Sequence, residues 1–221
     1  MCGRFAITLP PEAMAQLFEA APDNYLPDVP NYNVCPTTQV HVVFHPEEGT
    51  RRLTTMRWGF LPHWYKKPNG GPLLINARAE TIAEKPAFKS ASRSRRAIVP
   101  ASGFFEWTKT DDGARDPWYI TRCDGAPLAM AAVWQDWTSP ESEAVRACAI
   151  VTTAANETMR NLHHRMPVIL TPRDWPLWLG EAGHGAAKLM RSAPEDALQY
   201  HRVERAVNSN RAAGAELIEP A

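Results

Sequence analysis

Short runs of mostly apolar residues recur along this chain, and polar turn residues separate the runs. Apolar runs of this length that are bounded by turn residues are typical of buried strands. The segments that we predict to be strands are QVHVVF (39–44), LTTMRWGFLPHWY (53–65, a strand that runs into an aromatic loop), RRAIVPASGFFEWT (95–108), PWYITR (117–122), PLAMAAVWQDW (127–137), VRACAIVTTAA (145–155) and MPVILT (166–171).

Helical spacing is less frequent along the chain. Met14, Leu17 and Phe18 recur at helical intervals in the segment 10–21, which begins with proline as helices often do. The segment 76–92 is predicted to be a loop leading into a helix, and the other helices that we predict lie at 156–164 with Asn156 as the cap, at 171–180 and at 185–193. Strands therefore outnumber helices, do not alternate regularly with them and show no repeat. This order favours a mixed α+β fold built on antiparallel sheets.

Length and charge narrow the class of protein. At 221 residues the chain is most simply one domain, and we expect that domain to be 2–221, with Met1 removed. The 24 basic and 24 acidic side chains cancel, so bulk charge does not indicate a nucleic-acid partner, which would need a local basic face. One basic cluster, 89–96, is typical of a solvated helix end. Without a membrane-length apolar run or a signal-peptide profile, we expect a cytoplasmic protein, nucleoid-associated if bacterial.

Four cysteines, Cys2, Cys35, Cys123 and Cys148, are scattered along the chain. They form no CxxC pair and have no matching histidine spacing, so we expect no metal site, and in a reducing compartment they stay free thiols. Cys2 differs from the others. If Met1 is trimmed, Cys2 carries an α-amine and a thiol on adjacent carbons, which is a 1,2-aminothiol.

Three polar side chains stand inside otherwise apolar segments. Glu106 lies between Phe105 and Trp107; it either points to solvent or faces a pocket in which burial would raise its pKa for general acid–base work. His163 is either a helix-end or core histidine, or a proton shuttle near neutral pH. Asn76 either caps the helix predicted after it or belongs to a site. The residues alone leave these alternatives open.

The motifs taken together resemble one family over essentially the whole chain. They are MCGRF, YNVCP (32–36), RWGFLPHW, INARAET, GFFEW, AIVTTAA, LHHRMPVIL and VERAVN followed by GAELIEP, in this order. The sequence resembles the SRAP family, named for SOS-response-associated peptidases and understood as abasic-site processing proteins. The resemblance implies an α+β SRAP fold with a mostly antiparallel, barrel-like core flanked by short helices.

The resemblance also implies a function. It points to a monomer that shields abasic sites in single-stranded DNA through a covalent thiazolidine at Cys2, with no metal or organic cofactor and no membrane partner. The catalytic residues that it implicates are Cys2, Asn76, Glu106 and His163. The DNA-binding residues that we expect are Arg4, Arg78 and Arg165 on phosphates, and Trp58, Pro62, Trp64 and Tyr65 in a loop that stacks on or wedges between bases. Alternatively, the arginines are surface or ion-pair residues, and these aromatics, Trp58 above all, simply pack in the core.

This chain departs from the family pattern at three positions. His164 and Met166 stand beside His163 where Asp and Arg are common, and Cys35 replaces a frequent Ala. The first two departures bear on the pKa of His163 or on a phosphate contact. Three other functions use overlapping residues: a cysteine or N-terminal-nucleophile peptidase, which includes autoproteolytic removal of Met1, a non-covalent reader of modified bases, and an abasic-site lyase.

Overall fold

The strand-forming segments assemble into two sheets in the computed structural model, which describes residues 2–221. The strands are β1 (Phe5–Ile7), β2 (Ala21–Pro22), β3 (Asn31–Val34), β4 (Gln39–Phe44), β5 (Arg52–Trp58), β6 (Asn76–Arg78), β7 (Arg96–Ala101), β8 (Gly103–Lys109), β9 (Arg115–Arg122), β10 (Leu128–Thr138), β11 (Ala144–Ala154), β12 (Arg165–Pro167) and β13 (Leu198–Arg202). The helices are α1 (Pro11–Phe18), α2 (Ala91–Ser94), α3 (Glu157–Arg160) and α4 (Trp175–Leu179). Short 3₁₀ turns lie at Pro172–Asp174, Ala186–Leu189, Arg205–Asn208 and Ala215–Ile218.

The larger sheet closes into a five-stranded barrel. Antiparallel pairing runs from β11 to β10, β7, β4 and β5, and β5 then returns to β11 in parallel. The parallel contact pairs Arg57 with Ala147 and Trp58 with Cys148. Closure removes the free edges that an open sheet would expose, and it gives the single domain one main hydrophobic core. The α+β class with a barrel-like core is confirmed.

The smaller sheet orders its strands β13, β9, β8, β1 and β3. Successive side chains of a strand point to opposite faces, and β8 shows this clearly. Phe104 packs in the main core, whereas Phe105 packs with Tyr119 in a second cluster on the other face. Glu106 lies two residues after Phe104, so the alternation directs its carboxylate toward the main core.

Two short strands, β6 and β12, bring distant segments to one end of β11. β6 runs parallel to β11 and pairs Asn76 with Ile150. β12 runs antiparallel to β11 and pairs Arg165 with Ala154. Residues 76 and 165 therefore flank the same end of one central strand, although about 90 residues separate them in sequence. No helix within residues 2–221 is long and apolar enough to span a membrane.

Several predicted elements are confirmed and others are wrong. The strand at 39–44, the helix α1 and the Asn156 cap, whose Oδ1 accepts from Met159 N at 2.9 Å, are confirmed. The segment 76–92, predicted as a loop leading into a helix, begins instead with a strand at 76–78; turns then occupy 79–90, and only Ala91–Ser94 is helical. Pro86 lacks the N–H that a continuous helix would need.

Three further boundaries also differ from the prediction. The strand at 95–108 is two strands, because the chain turns at Ser102, whose backbone N–H donates to the Ala6 carbonyl at 2.7 Å. The helix predicted at 185–193 is a 3₁₀ turn at Ala186–Leu189, where glycine at 183 and 185 adopts positive φ just before it. The strand at 166–171 is limited to Arg165–Pro167, with one further bridge at Ile169.

Candidate active site

Cys2 is fully buried beside the first strand of the smaller sheet. The backbone N–H of Phe105 donates to the Arg4 carbonyl at 2.9 Å, which extends the β1–β8 pairing toward the start of the chain. This extension brings Cys2 close to Glu106. Burial raises the pKa of the Cys2 thiol, and the negative charge of Glu106 raises it further, so the thiol is neutral at physiological pH.

Asn76 fixes the position of the Cys2 backbone. Its Nδ2 donates to the Cys2 carbonyl at 2.9 Å from β6. Its Oδ1 is buried and accepts no hydrogen bond from residues 2–221, so one acceptor remains for a bound group. The alternative that Asn76 caps a following helix is wrong, because β6 leads into turns.

Glu106 is 3% exposed, so the alternative that it points to solvent is wrong. It stands on β8 directly opposite Trp118 of β9. Burial raises the pKa of its carboxyl, since the charged form loses hydration in this position. A carboxyl with a raised pKa can both donate and accept a proton closer to neutral pH than an exposed glutamate can.

His163 lies in the loop between α3 and β12, and its Nδ1 lies 2.9 Å from the backbone nitrogen of Arg165 and 3.2 Å from the carbonyl oxygen of the same residue. The first contact needs Nδ1 as an acceptor and the second needs it as a donor, so the tautomer decides which of the two bonds forms. Burial lowers the pKa of His163, and the neighbouring His164 and Arg165 lower it further. His164, one of the departures from the family pattern, stacks on it with ring centroids 4.3 Å apart. Met166, the other, is buried.

An open cleft of about 800 Å³ lies over these groups. Its lining residues are Gly3, Arg4, Glu106, Trp107, Lys109, Ala114, Arg115, His163 and Asn208. Three of them are cationic and one is acidic, so the cleft favours an anionic ligand. Residues 2–221 contain no cluster of His, Cys, Asp and Glu that is suited to a metal ion.

The three candidate arginines have different surroundings. Arg4 lines the cleft. Arg78 is exposed on β6 outside the cleft lining. Arg165 is only 8% exposed and forms a two-pronged ion pair with Glu80 at 2.7 and 2.9 Å, while its Nη2 also donates to the Thr152 carbonyl. Arg165 therefore corresponds to the ion-pair alternative in this structure, and a phosphate would have to displace Glu80.

This ion pair makes the stability depend on pH. Arg165 lowers the pKa of Glu80, so the unfolded chain binds protons more readily at this site, and the ionised pair stabilises the fold above the ordinary glutamate pKa of about 4.3. We expect Glu80→Gln to lower the free energy of unfolding by about 1 kcal/mol at pH 7, since Glu80 itself is 48% exposed. Thermal unfolding between pH 7 and 3 should show this difference shrinking as the pH falls through the lowered pKa; a constant difference would contradict it.

The aromatic candidates separate into a buried and an exposed pair. Trp58 is fully buried, and its Nε1 donates to the Ile75 carbonyl at 3.0 Å, so it packs in the core and no base can reach its ring. Pro62 is also buried, whereas Trp64 is 48% exposed and Tyr65 is half-buried. Only Trp64 and Tyr65 remain candidates for stacking on bases.

This aromatic loop lies away from the cleft. Tyr65 packs with Trp137 and Val145. Val145 precedes Ile150, the partner of Asn76, by five residues of β11, which corresponds to about 17 Å along a strand. A DNA strand would have to extend over several nucleotides to contact both places.

The two tryptophans provide a matched pair of substitutions. Trp58→Ala is expected to lower the free energy of unfolding by about 3–5 kcal/mol, because it leaves a cavity where a full indole packed. Trp64→Ala is expected to change it by less than about 0.5 kcal/mol. Urea unfolding of both variants checks this, and equal losses would show that the burial of Trp58 does not determine its contribution.

Three cleft residues were missed by the sequence analysis: Lys109, Arg115 and Asn208. Lys109 pairs with Arg115 across the β8–β9 hairpin, so both cations lie on the hairpin that carries Glu106. The Asp-Gly pair at 112–113 is a hairpin signal that predicts this pairing. Asn208 reaches the cleft from the C-terminal region, and no local pattern indicates that.

Fold and site together define a class: a single α+β domain with a closed barrel and a cationic cleft beside a buried cysteine, a buried carboxyl and a half-buried imidazole. The family model for SOS response associated peptidase (SRAP) matches residues 1–210. The chain belongs to this family, which confirms the resemblance seen in its motifs.

Named relatives and solved structures agree with this membership. The chain is 36% identical over 228 residues to the "Abasic site processing protein YedK" of Escherichia coli, covering 100% of both chains. It is 34% identical over 225 residues to the "Abasic site processing protein YoqW" of Bacillus subtilis, covering 99% of both. A crystal structure of a Bacteroides thetaiotaomicron protein, 22% identical, shares the fold with a TM-score of 0.86 over 100% of both chains.

Proposed function

We propose that this protein processes abasic sites in single-stranded DNA by forming a covalent thiazolidine at Cys2, acting as a monomer. The observation that carries the proposal is the convergence of Cys2, Asn76, Glu106 and His163 from four separate segments beside one cationic cleft. Relatives named as abasic site processing proteins, similar over 99–100% of this chain, support the choice of ligand.

The chemistry requires Cys2 to be the first residue, and the proposal therefore includes the removal of Met1, giving a domain of 2–221. The α-amine of Cys2 adds to the C1′ aldehyde of the ring-opened abasic sugar, and the resulting carbinolamine loses one water to form a Schiff base. The Cys2 sulfur then adds to the imine carbon while its proton passes to the imine nitrogen. The product is a five-membered ring, and the net change is the loss of one water.

The remaining residues supply what each step needs. His163 lines the cleft and is suited to hydrogen-bond the sugar O4′ as the ring opens. Glu106, with its raised pKa, is suited to relay protons during dehydration and to receive the thiol proton. Asn76 holds the Cys2 carbonyl and presents its Oδ1 to the bound sugar.

The walls of the cleft fit a nucleic-acid backbone. Arg4, Lys109 and Arg115 line it together with the indole of Trp107. Cations along a groove with an interleaved aromatic residue are typical of single-strand binding. Trp64 and Tyr65 are proposed to contact bases farther along the strand, and Arg78 a flanking phosphate.

Three oligonucleotides of one sequence test the proposal on denaturing gels: one with a single abasic site, one with that site reduced by borohydride to an alcohol, and one undamaged. The proposal predicts a shifted band with the abasic strand alone, because only that strand offers an aldehyde. Equal bands with the reduced strand would contradict capture of the aldehyde.

The same assay distinguishes the other functions. A thiol, an imidazole and a carboxyl near one another also suit acyl transfer, and the family description names a peptidase, so autoproteolytic removal of Met1 is a second candidate function. Cleavage of the abasic strand without a stable band would indicate a lyase. Binding of a strand with a modified base on a native gel, without a covalent band on the denaturing gel, would indicate a base reader.

A further inference from the structure

Arg4 is held in the cleft wall by neutral acceptors. Its Nη1 donates to Asn33 Oδ1 at 2.5 Å and to the Val207 carbonyl at 3.1 Å. Its Nε is buried and has no hydrogen-bond partner in residues 2–221. No carboxylate of these described residues forms an ion pair with it. The guanidinium is therefore fixed in place while its positive charge stays uncompensated.

Arg165 shows the contrasting arrangement nearby. Its guanidinium is fixed by the Glu80 carboxylate, which cancels its charge. Both arginines are anchored, but only Arg4 lines the cleft with a full charge. The net charge differs because a neutral amide anchors Arg4, whereas a charged carboxylate anchors Arg165.

The orientation of the Asn33 amide follows from the C-terminal segment. Asn33 is only 8% exposed, and its Nδ2 donates to the Ser209 carbonyl at 3.1 Å and to the Ala212 carbonyl at 2.6 Å. Both carbonyls need a donor, so the NH₂ group must face them, and Oδ1 must face Arg4. An aspartate at this position would keep an acceptor for Arg4 but lose both donors.

The C-terminal segment holds a second cleft residue in the same way. Trp107 Nε1 donates to Asn208 Oδ1 at 2.6 Å, and the Arg4 guanidinium lies 5.8 Å from the centre of the Trp107 ring. Asn208 Nδ2 in turn donates to the Arg115 carbonyl at 3.1 Å. The segment around 207–212 therefore holds the side chains of this cleft wall in place. The buried side chain of Asn33 links this segment to Arg4.

We propose that Asn33 is a positioning residue that holds Arg4 at the cleft wall and leaves its charge available to a DNA phosphate. The inference rests on the proposed function, because it takes DNA as the occupant of the cleft. It adds a requirement that the residue at 33 be both a hydrogen-bond acceptor for Arg4 and uncharged.

The test is the salt dependence of binding to an undamaged single-stranded oligonucleotide, followed by fluorescence anisotropy. Asn33→Asp and Arg4→Ala are each expected to weaken binding about tenfold and to lower the slope of log K against log salt by roughly 0.7, the value for one phosphate contact on a single strand. The matched control is Asn31→Asp, which adds the same charge at an exposed position two residues away and should keep the wild-type slope within error.

Further variants assign the effect to Arg4. Asn33→Asp combined with Arg4→Ala should bind no more weakly than Arg4→Ala alone, since Asn33 acts through Arg4. If Asn33→Asp does not fold, Asn33→Ala combined with Arg4→Ala is compared with Arg4→Ala in the same way. An unchanged slope in folded Asn33→Asp, or a clear further loss in the double variant, overturns the inference. An unchanged slope in Arg4→Ala also overturns the inference, whereas failure of the wild type to bind contradicts the proposed function itself.

Discussion

Cys2→Ala is expected to abolish the stable adduct with abasic DNA, a loss of at least about 100-fold in adduct yield. After removal of Met1, alanine still presents an α-amine, so the Schiff base forms, but no sulfur is present to close the ring. An open imine is hydrolysed when the protein is denatured. Borohydride added during the reaction should therefore trap the variant on DNA, whereas without borohydride no band should survive.

The fold is expected to tolerate this substitution. Cys2 is fully buried, and exchanging its sulfur for hydrogen leaves a small cavity that costs about 1 kcal/mol. Thermal unfolding of the variant is the control for a folded protein. A stable adduct that forms in Cys2→Ala at the wild-type rate would show that the thiol takes no part in the linkage.

Glu106→Gln is expected to slow adduct formation about 100-fold, the usual size of a lost general acid–base group. Glutamine keeps the shape of the side chain on β8 but cannot exchange a proton. The rate of the wild type should depend on pH through the raised pKa of Glu106, and this dependence should be absent from the variant. Single-turnover rates between pH 4 and 9 with a fixed abasic oligonucleotide measure both effects.

The thermal stability of Glu106→Gln shows whether its slower adduct formation comes from the lost proton transfer or from unfolding. Because burial raises the pKa of Glu106, the folded protein binds its proton more tightly than the unfolded chain does. This contribution to stability is present at low pH and is lost as the pH rises from about 4.3 through the raised pKa. Glu106→Gln should therefore unfold at or above the wild-type temperature at pH 7. If the variant is slow and also markedly less stable, the loss of rate comes from a damaged fold.

Much of the fold could be predicted because local patterns agree with it. The apolar runs 39–44 and 127–137 and the capping residue Asn156 each specify one element with little need for tertiary information. The prediction for 76–92, a loop leading into a helix, lacked the strand at 76–78, because that strand is held by pairing with β11 and no local signal indicates the pairing. Closure of the barrel by the parallel β5–β11 contact is likewise a tertiary property.

The candidate site could likewise be predicted only in part. Residues with unusual chemistry in apolar segments, such as Glu106, could be selected from the sequence. Whether Glu106 faced solvent or the interior could not, because the answer depends on which face of β8 meets the core. Trp58 illustrates the opposite failure, since an aromatic residue in a loop-like motif packs in the core. The anchoring of Arg4 by Asn33 and Val207 joins segments up to 203 residues apart.

Intact mass spectrometry of the purified protein, alone and after incubation with a single-stranded oligonucleotide carrying one abasic site, is the decisive experiment for covalent capture at Cys2. We expect a chain that lacks Met1 and a new species equal to that chain plus the oligonucleotide less one water, absent from Cys2→Ala. A chain that lacks Met1 and forms no such species would contradict covalent capture at Cys2.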